Sequence, residues 1–194
     1  MDKKDHFNNF LTKNIPEVRS LLKRALPFVT TEKNALDIGA GMLYDTRFLL
    51  EKGFSVVSVD PSELTAIEAN KINSEKLTIF NDIVEHYTFP ENYFDLVSAQ
   101  FSLMYVQAKS FSVVFDNITK SLVAGGIFAG QLFGTETDMP WLSVSTLYHT
   151  REEINELLGG QYDVIFIKEF NGEVESVDGI KGFSQDFRIV AKKK

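Results

Sequence analysis

The chain has 194 residues, 44% of them hydrophobic, enough to bury one substantial core, and its length favours a single domain. A formal net charge of −7 and a pI near 5.0 work against a large phosphate-backbone footprint, which needs clustered Lys and Arg. Zero cysteines exclude disulfides and thiolate metal sites, and no metal is expected.

The first ten residues, MDKKDHFNNF, lack the apolar core of a signal peptide, and no apolar run approaches the ~18 residues of a membrane span. A soluble, cytoplasmic protein is expected. Residues 5–26 read as helical, with Phe7, Phe10, Leu11, Val18, Leu21, Leu22 and Ala25 apolar. Pro16 interrupts the pattern, and Asn14 with Glu17 three residues later marks a fresh start. Residues 1–30 are therefore expected to form a helical cap on an α/β core at 31–194, either closing the open edge of a pocket or packing on the sheet.

From Ala35 to Asp60 the chain reads strand, glycine turn, helix, strand: an apolar run into Asp37-Ile38-Gly39-Ala40-Gly41, a helical pattern through Phe48, Leu49 and Leu50, then Ser55–Val59 ending on Asp60. Gly39 and Gly41 let the backbone approach a ligand closely and free amides at the next helix. Asp60, 23 residues after Asp37, is placed to accept from the two hydroxyls of a ribose. The unit predicts a nucleoside site. A dinucleotide turn, Gly-x-Gly-x-x-Gly, needs a third glycine where this chain has Tyr44. An acid two residues before Gly-x-Gly suits an ammonium rather than a pyrophosphate, which a carboxylate would repel.

Pro61-Ser62 stops the strand and caps a short helix to about Lys71. A third strand, Lys76–Phe80, leads into Asn81-Asp82-Ile83, and Tyr93–Ser102 carries a fourth, with no Asn-Pro-Pro-aromatic motif for holding a flipped base. A helix at about Ala108–Val123 shows Phe111, Val114, Phe115, Ile118 and Leu122 at helical spacing. Gly125-Gly126 is expected to end it, before a fifth strand at Ile127–Phe133. The long loop Gly134–His149 holds the only tryptophan, Trp141. Thr150 and Glu153 form a capping box for a helix at Arg151–Leu158, and Val164–Phe170 with Phe183–Ala191 predict a closing antiparallel pair. Asn171-Gly172 and Asp178-Gly179 are turn signals between them.

The Asp37-Gly39-Gly41 turn resembles motif I of the class I S-adenosylmethionine-dependent methyltransferases, with Leu43 at their common third glycine. Three stretches narrow the likeness: the turn with Asp45, Ala129–Gly134, and Tyr148–Glu153. Together they resemble the small tellurite-resistance-type methyltransferases, although Lys181-Gly182-Phe183 stands where relatives tend to carry a His-Trp pair. The resemblance implies a Rossmann-like mixed sheet of seven strands, order 3-2-1-4-5-7-6, last strand antiparallel, with helices on both faces. It implies S-adenosyl-L-methionine as cofactor, S-adenosyl-L-homocysteine as product, and in-line transfer to a small-molecule acceptor. Asp37, Gly39 and Gly41 would hold the methionine tail, Asp60 the ribose, Asp82 and Ile83 the adenine, and Gln100 would close the pocket beside the methyl donor.

Trp141, Tyr105 and Gln131 are candidates for the acceptor side. If the acceptor must lose a proton, His149 and Tyr105 are candidate bases; His149 lies just before a helix N-terminus, whose dipole disfavours imidazolium. His86, after the third strand, lies on the adenine side. Two rivals differ in class. Tyr105 and Lys109 have the Tyr-x-x-x-Lys spacing of a short-chain NAD(P)-dependent oxidoreductase, and a methyltransferase fold can also serve as a non-catalytic cofactor-binding or interaction module. No nucleic-acid or membrane partner is expected, and the chain is expected to be a monomer or weak homodimer.

Overall fold

Side chains alternate across a strand, so a strand buried on both faces reads as a continuous apolar run, and helices must cover both sides. The computed structural model describes residues 20–30, 32–176 and 178–194, and follows that logic in its central strands. The part of the N-terminal helical cap predicted at 5–19 lies outside the described residues; its last turns are present as α1 (Ser20–Ala25), followed by a 3₁₀ turn at Leu26–Phe28. The core then runs β1 (Asn34–Ile38), α2 (Tyr44–Glu51), β2 (Ser55–Val59), α3 (Glu63–Ala69), β3 (Leu77–Phe80), β4 (Phe94–Ala99), α4 (Ala108–Ser121) and β5 (Leu122–Gly134). It closes with β6 (Tyr148–His149), α5 (Arg151–Leu158), β7 (Tyr162–Glu175) and β8 (Lys181–Lys193). Among the described residues no helix is long and apolar enough to cross a membrane.

The sheet order is β3-β2-β1-β4-β5-β8-β7, with β6 a two-residue parallel addition to the end of β5. Strands β1 to β5 are mutually parallel where they pair, and β8 is antiparallel to both β5 and β7. This is the order expected from the sequence once β6 is set aside, the last two strands being β7 and β8. The chain leaves β1 towards β2 and β3, then returns to β4 on its other side, so a switch point lies at the C-terminal end of β1.

Two apolar layers sandwich the sheet. Leu36, Val97, Phe128 and Ile189 face α4 and α5, meeting Phe111, Phe115, Ile118, Ile154 and Leu158. Their strand neighbours Ala35, Leu96, Ala129 and Val190 face the other way, towards Leu21, Leu22 and Ala25 of α1 and Leu49 of α2. Each fully buried aliphatic or aromatic side chain contributes about 1.5–3 kcal/mol, so helices this short are held by packing rather than by propensity.

Three local expectations are corrected. Gly125-Gly126 does not end α4, which stops at Ser121; the pair lies inside β5, where the register against β4 slips between Phe94 and Leu96 and Gly125 takes φ +80°. A glycine pair with freedom at positive φ suits a bulge as well as a helix stop, and here the bulge wins. Asn171-Gly172 is not a turn but mid-strand in β7, where a Cβ on Gly172 would come within 2.8 Å of the Phe170 ring; the hairpin turns at Asp178-Gly179 alone. Tyr105 and Lys109 do not share a helix. Tyr105 ends a 3₁₀ turn, Val106 is extended, and α4 begins at Ala108, which removes the helical step an oxidoreductase pair requires.

Candidate functional site

The site starts at the switch point. Beyond the last residue of β1, Gly39 (φ +73°) donates to Val59 O at 2.8 Å, so the turn is pinned to the end of β2 at once. Gly41 (φ +51°) follows, and Leu43 also sits in the left-handed region at φ 62°, directly before α2. That conformation explains why glycine is usual at this position. Leucine holds it here because its side chain is fully buried.

Asp37 and Asp60 lie on neighbouring parallel strand ends, each 3% exposed. Asp37 shares a sheet face with Ser58 and Ser98, its register partners. Its Oδ2 accepts from Thr46 Oγ1 at 2.6 Å, and that hydroxyl is 2.8 Å from Ser58 Oγ. Asp60 is also bound. Its Oδ2 accepts from Gly41 N at 2.9 Å, and its Oδ1 from Ser62 N at 2.8 Å. Thr65 Oγ1 lies 2.9 Å from Asp60 Oδ1 and 2.7 Å from Gly41 O, and gives its one proton to one of them. An ionised carboxylate offers about four acceptor positions, so Asp60 keeps one open position on Oδ2 for a ligand hydroxyl. It latches the glycine turn to α3 while still able to accept. Asn81 braces the same corner by donating to Asp60 O at 2.8 Å and Ser62 O at 2.9 Å.

Asp82 stands outside this cluster, half exposed, taking a bond from Ile83 N at 2.7 Å and lying 2.9 Å from His86 Nδ1. The His86 contact, then the Ile83 amide, hold its carboxyl below the usual carboxylate range. Ile83 is half-buried beside it.

The loop after β4 closes over the turn. Phe101 takes φ 55°, and Ser102 packs so tightly on Gly39 that a Cβ there would lie 2.3 Å from Ser102 Cβ. Ser102 Oγ is buried and has no hydrogen-bond partner. Just before it, buried Gln100 donates from Nε2 to Ala129 O at 3.1 Å. A cavity of about 170 Å³ opens at this end of the sheet, lined by Ser20, Leu21, Gln100, Phe101, Gln131 and Arg188.

The predicted acceptor-side residues divide. Gln131 lines the cavity and donates to Asp186 Oδ1 at 3.3 Å. Trp141 lies instead against the β7–β8 hairpin, its ring edge 2.9 Å from where a Cβ on Gly182 would stand. Tyr105 is half exposed and forms no hydrogen bond with His149. His149 sits on β6 against the Phe111 ring, 4.7 Å between centroids, with Nδ1 4.0 Å from Glu153 Oε2 and Nε2 buried without a partner. Its pKa is lowered, chiefly by burial and against the pull of Glu153, so burial joins the helix terminus in keeping the ring neutral. The capping box is as expected, Thr150 accepting from Glu153 N and the Glu153 carboxylate from Thr150 N.

Four residues of the site escaped the sequence reading: Thr65, Ser102, Asp186 and Arg188. A threonine in a short helix and a serine in a loop carry no signal of their own. Asp186 and Arg188, two apart on a strand, share a face with apolar Val190, which was the available hint.

A family model described as "Methyltransferase domain" matches residues 36–130. Among solved structures, TehB from Haemophilus influenzae superposes with a TM-score of 0.78 at 17% identity, covering 100% of this chain and 68% of that one. The Burkholderia thailandensis 1,6-didemethyltoxoflavin-N1-methyltransferase, solved with 1,6-didemethyltoxoflavin and S-adenosylhomocysteine bound, gives 0.69 at 19% identity, covering 99% and 87%. An S-adenosylmethionine-dependent methyltransferase from Mesorhizobium loti gives 0.67 at 18%, covering 88% and 95%. No curated protein sequence matches the chain significantly. Identities this low establish the fold, which is that of the class I methyltransferases.

Proposed function

We propose that this chain, whose residues 36–130 match a methyltransferase-domain model and whose fold is the one the methyltransferase structures share, transfers a methyl group from S-adenosylmethionine to a small-molecule acceptor. The observation that carries this is the meeting of Asp37 and Asp60 at neighbouring strand ends with the Gly39–Gly41 turn between them. The residues present fit the cofactor. Ser102 Oγ is a buried hydroxyl lacking a partner beside the turn, and Asp60 has one acceptor position in hand. Asp37 and the glycine amides would hold the methionine end, Asp60 one ribose hydroxyl, Asp82 and Ile83 the adenine, and Gln100 the region of the methyl donor.

The sulfonium supplies the driving force for methyl transfer when the cofactor is bound. The chain's part is then alignment, which can supply on the order of 7–11 kcal/mol of a barrier. A hydroxyl or amine acceptor would need a base, and His149, kept neutral by burial against Phe111 on the α4 side of the sheet, does not line the cavity. A small acceptor accords with the size of the cavity, with the net charge of −7, and with the Burkholderia neighbour's bound ligand.

A second reading, a cofactor-binding module without turnover, draws on one observation: the chain's own Ser102 occupies the space above Gly39. Methyl-labelled S-adenosylmethionine incubated with the protein and a panel of small oxygen, nitrogen and sulfur nucleophiles separates the two. Label recovered in an organic product supports the enzyme; tight binding of S-adenosylhomocysteine without label transfer to any nucleophile favours the module.

A further inference from the structure

Asp186 is 1% exposed, on the sheet face it shares with Arg188 and apolar Val190, a costly place for a carboxylate unless it is paired. Its partners all belong to the cavity. Arg188 Nε donates to Oδ1 at 2.7 Å, Arg188 Nη2 to Oδ2 at 3.3 Å, and Gln131 Nε2 to Oδ1 at 3.3 Å. From the other side, the Phe170 ring lies 4.7 Å from the guanidinium carbon. Asp186 therefore cancels the charge of Arg188 and fixes its plane, yet uses only two of its five N–H donors.

Gln100 supplies the complement. Its Nε2 faces Ala129 O, so the amide cannot be turned round, and its Oε1 is buried with no partner. An unsatisfied buried acceptor in a cavity wall marks a place for a ligand's donor. The cavity thus offers N–H donors without net charge from Arg188, one waiting acceptor from Gln100, and apolar contact from Leu21 and Phe101. Its volume of about 170 Å³ suits one ring, since a cavity of about 150 Å³ takes benzene.

We infer that the acceptor is an uncharged lactam-type heterocycle, a small planar ring with N–H beside C=O, its carbonyl read by Arg188 and its N–H by Gln100, the methyl passing from sulfur to a further nucleophile on the ring whose proton goes to solvent. Asp186 and Gln131 are the positioning residues. A carboxylate ligand would gain little from a guanidinium already paired with a buried carboxylate, and a plain hydrocarbon would leave Gln100 unsatisfied. The inference rests on the methyl-transfer reading, so its test begins with the cofactor product.

Protein saturated with S-adenosylhomocysteine is titrated calorimetrically with 2-pyridone, uracil, benzoate and toluene. One or both lactams are expected to bind, benzoate and toluene at least tenfold more weakly. Arg188→Met should weaken the lactam at least tenfold while leaving S-adenosylhomocysteine affinity within about twofold, and Gln100→Leu should weaken the lactam at least tenfold. Asp186→Asn, which uncovers the guanidinium charge, should reverse the preference towards benzoate, a switch that a merely structural role would not produce. If S-adenosylhomocysteine itself fails to bind, the methyl-transfer reading falls and this one with it. If it binds but neither lactam does, or benzoate binds wild type as tightly as 2-pyridone, or Arg188→Met leaves lactam binding unchanged, the lactam assignment alone is overturned.

Discussion

Leu43 pays for its left-handed backbone with its side chain. A non-glycine residue at φ 62° costs about 1–2 kcal/mol, whereas emptying a fully buried leucine site costs about 2–5 kcal/mol. Restoring the glycine usual at this position, Leu43→Gly, should therefore destabilise the protein by about 1–3 kcal/mol, measured by urea denaturation. A stabilised variant would show that backbone strain outweighs packing. The departure from the glycine pattern was visible in the sequence; the packing that compensates for it was not, because it depends on which face of the turn meets the core. His149 makes a second case at this scale. Burial holds its folded pKa below the ordinary histidine value, so the unfolded chain binds the proton more readily. Stability from this group is complete above about pH 6.5 and is lost as the pH falls below it towards the depressed folded value. His149→Phe should shrink the drop in melting temperature between pH 7.5 and pH 5. An unchanged drop would mean the imidazole is not what acid attacks.

Between elements, the tightest junction in the site is that of the β1–α2 turn with the loop after β4. Gly39 meets it twice, through φ +73° and through Ser102 Cβ at 2.3 Å from a notional Cβ. Gly39→Ala should abolish detectable S-adenosylhomocysteine binding in a thermal-shift assay. Adding Ser102→Gly should recover part of it, since this removes the collision but not the backbone strain. No recovery at all would assign the whole defect to φ. Element identity was largely legible in the chain: apolar runs and helical spacing located β1 to β5 and the helices at 44–51, 63–69, 108–121 and 151–158, but not β6, which falls at the end of the stretch read as the loop Gly134–His149. What misled was glycine. Gly125-Gly126 and Asn171-Gly172 carry the same local signal whether they stop an element, bulge a strand or make room for a phenylalanine ring, and only tertiary contacts decide among these.

At the scale of the molecule, the observed strand order is the one the family resemblance implied, and it puts the switch point beside β1. Asp37, Gly39, Gly41 and Asp60 could be brought together on paper because one supersecondary unit holds all four. The cavity proposed for the acceptor draws on α1, β5, β8 and the end of β4, residues 20 to 188, and no local pattern links Gln100 to Arg188. Trp141 illustrates the same limit, conspicuous as the only tryptophan yet packed on Gly182 of the closing hairpin. On the reading proposed above, the two buried acids and the glycine turn hold an adenosyl sulfonium or its spent thioether. Calorimetric titration of S-adenosylhomocysteine into wild type, Asp37→Asn and Asp60→Asn tests it most directly. Hydrogen bonds to charged groups are worth about 1.5–3 kcal/mol, so saturable one-to-one binding by wild type should weaken about ten- to a hundredfold in each variant. Folded wild-type protein that takes up none of the ligand, or variants that bind it as tightly as wild type, would contradict the account.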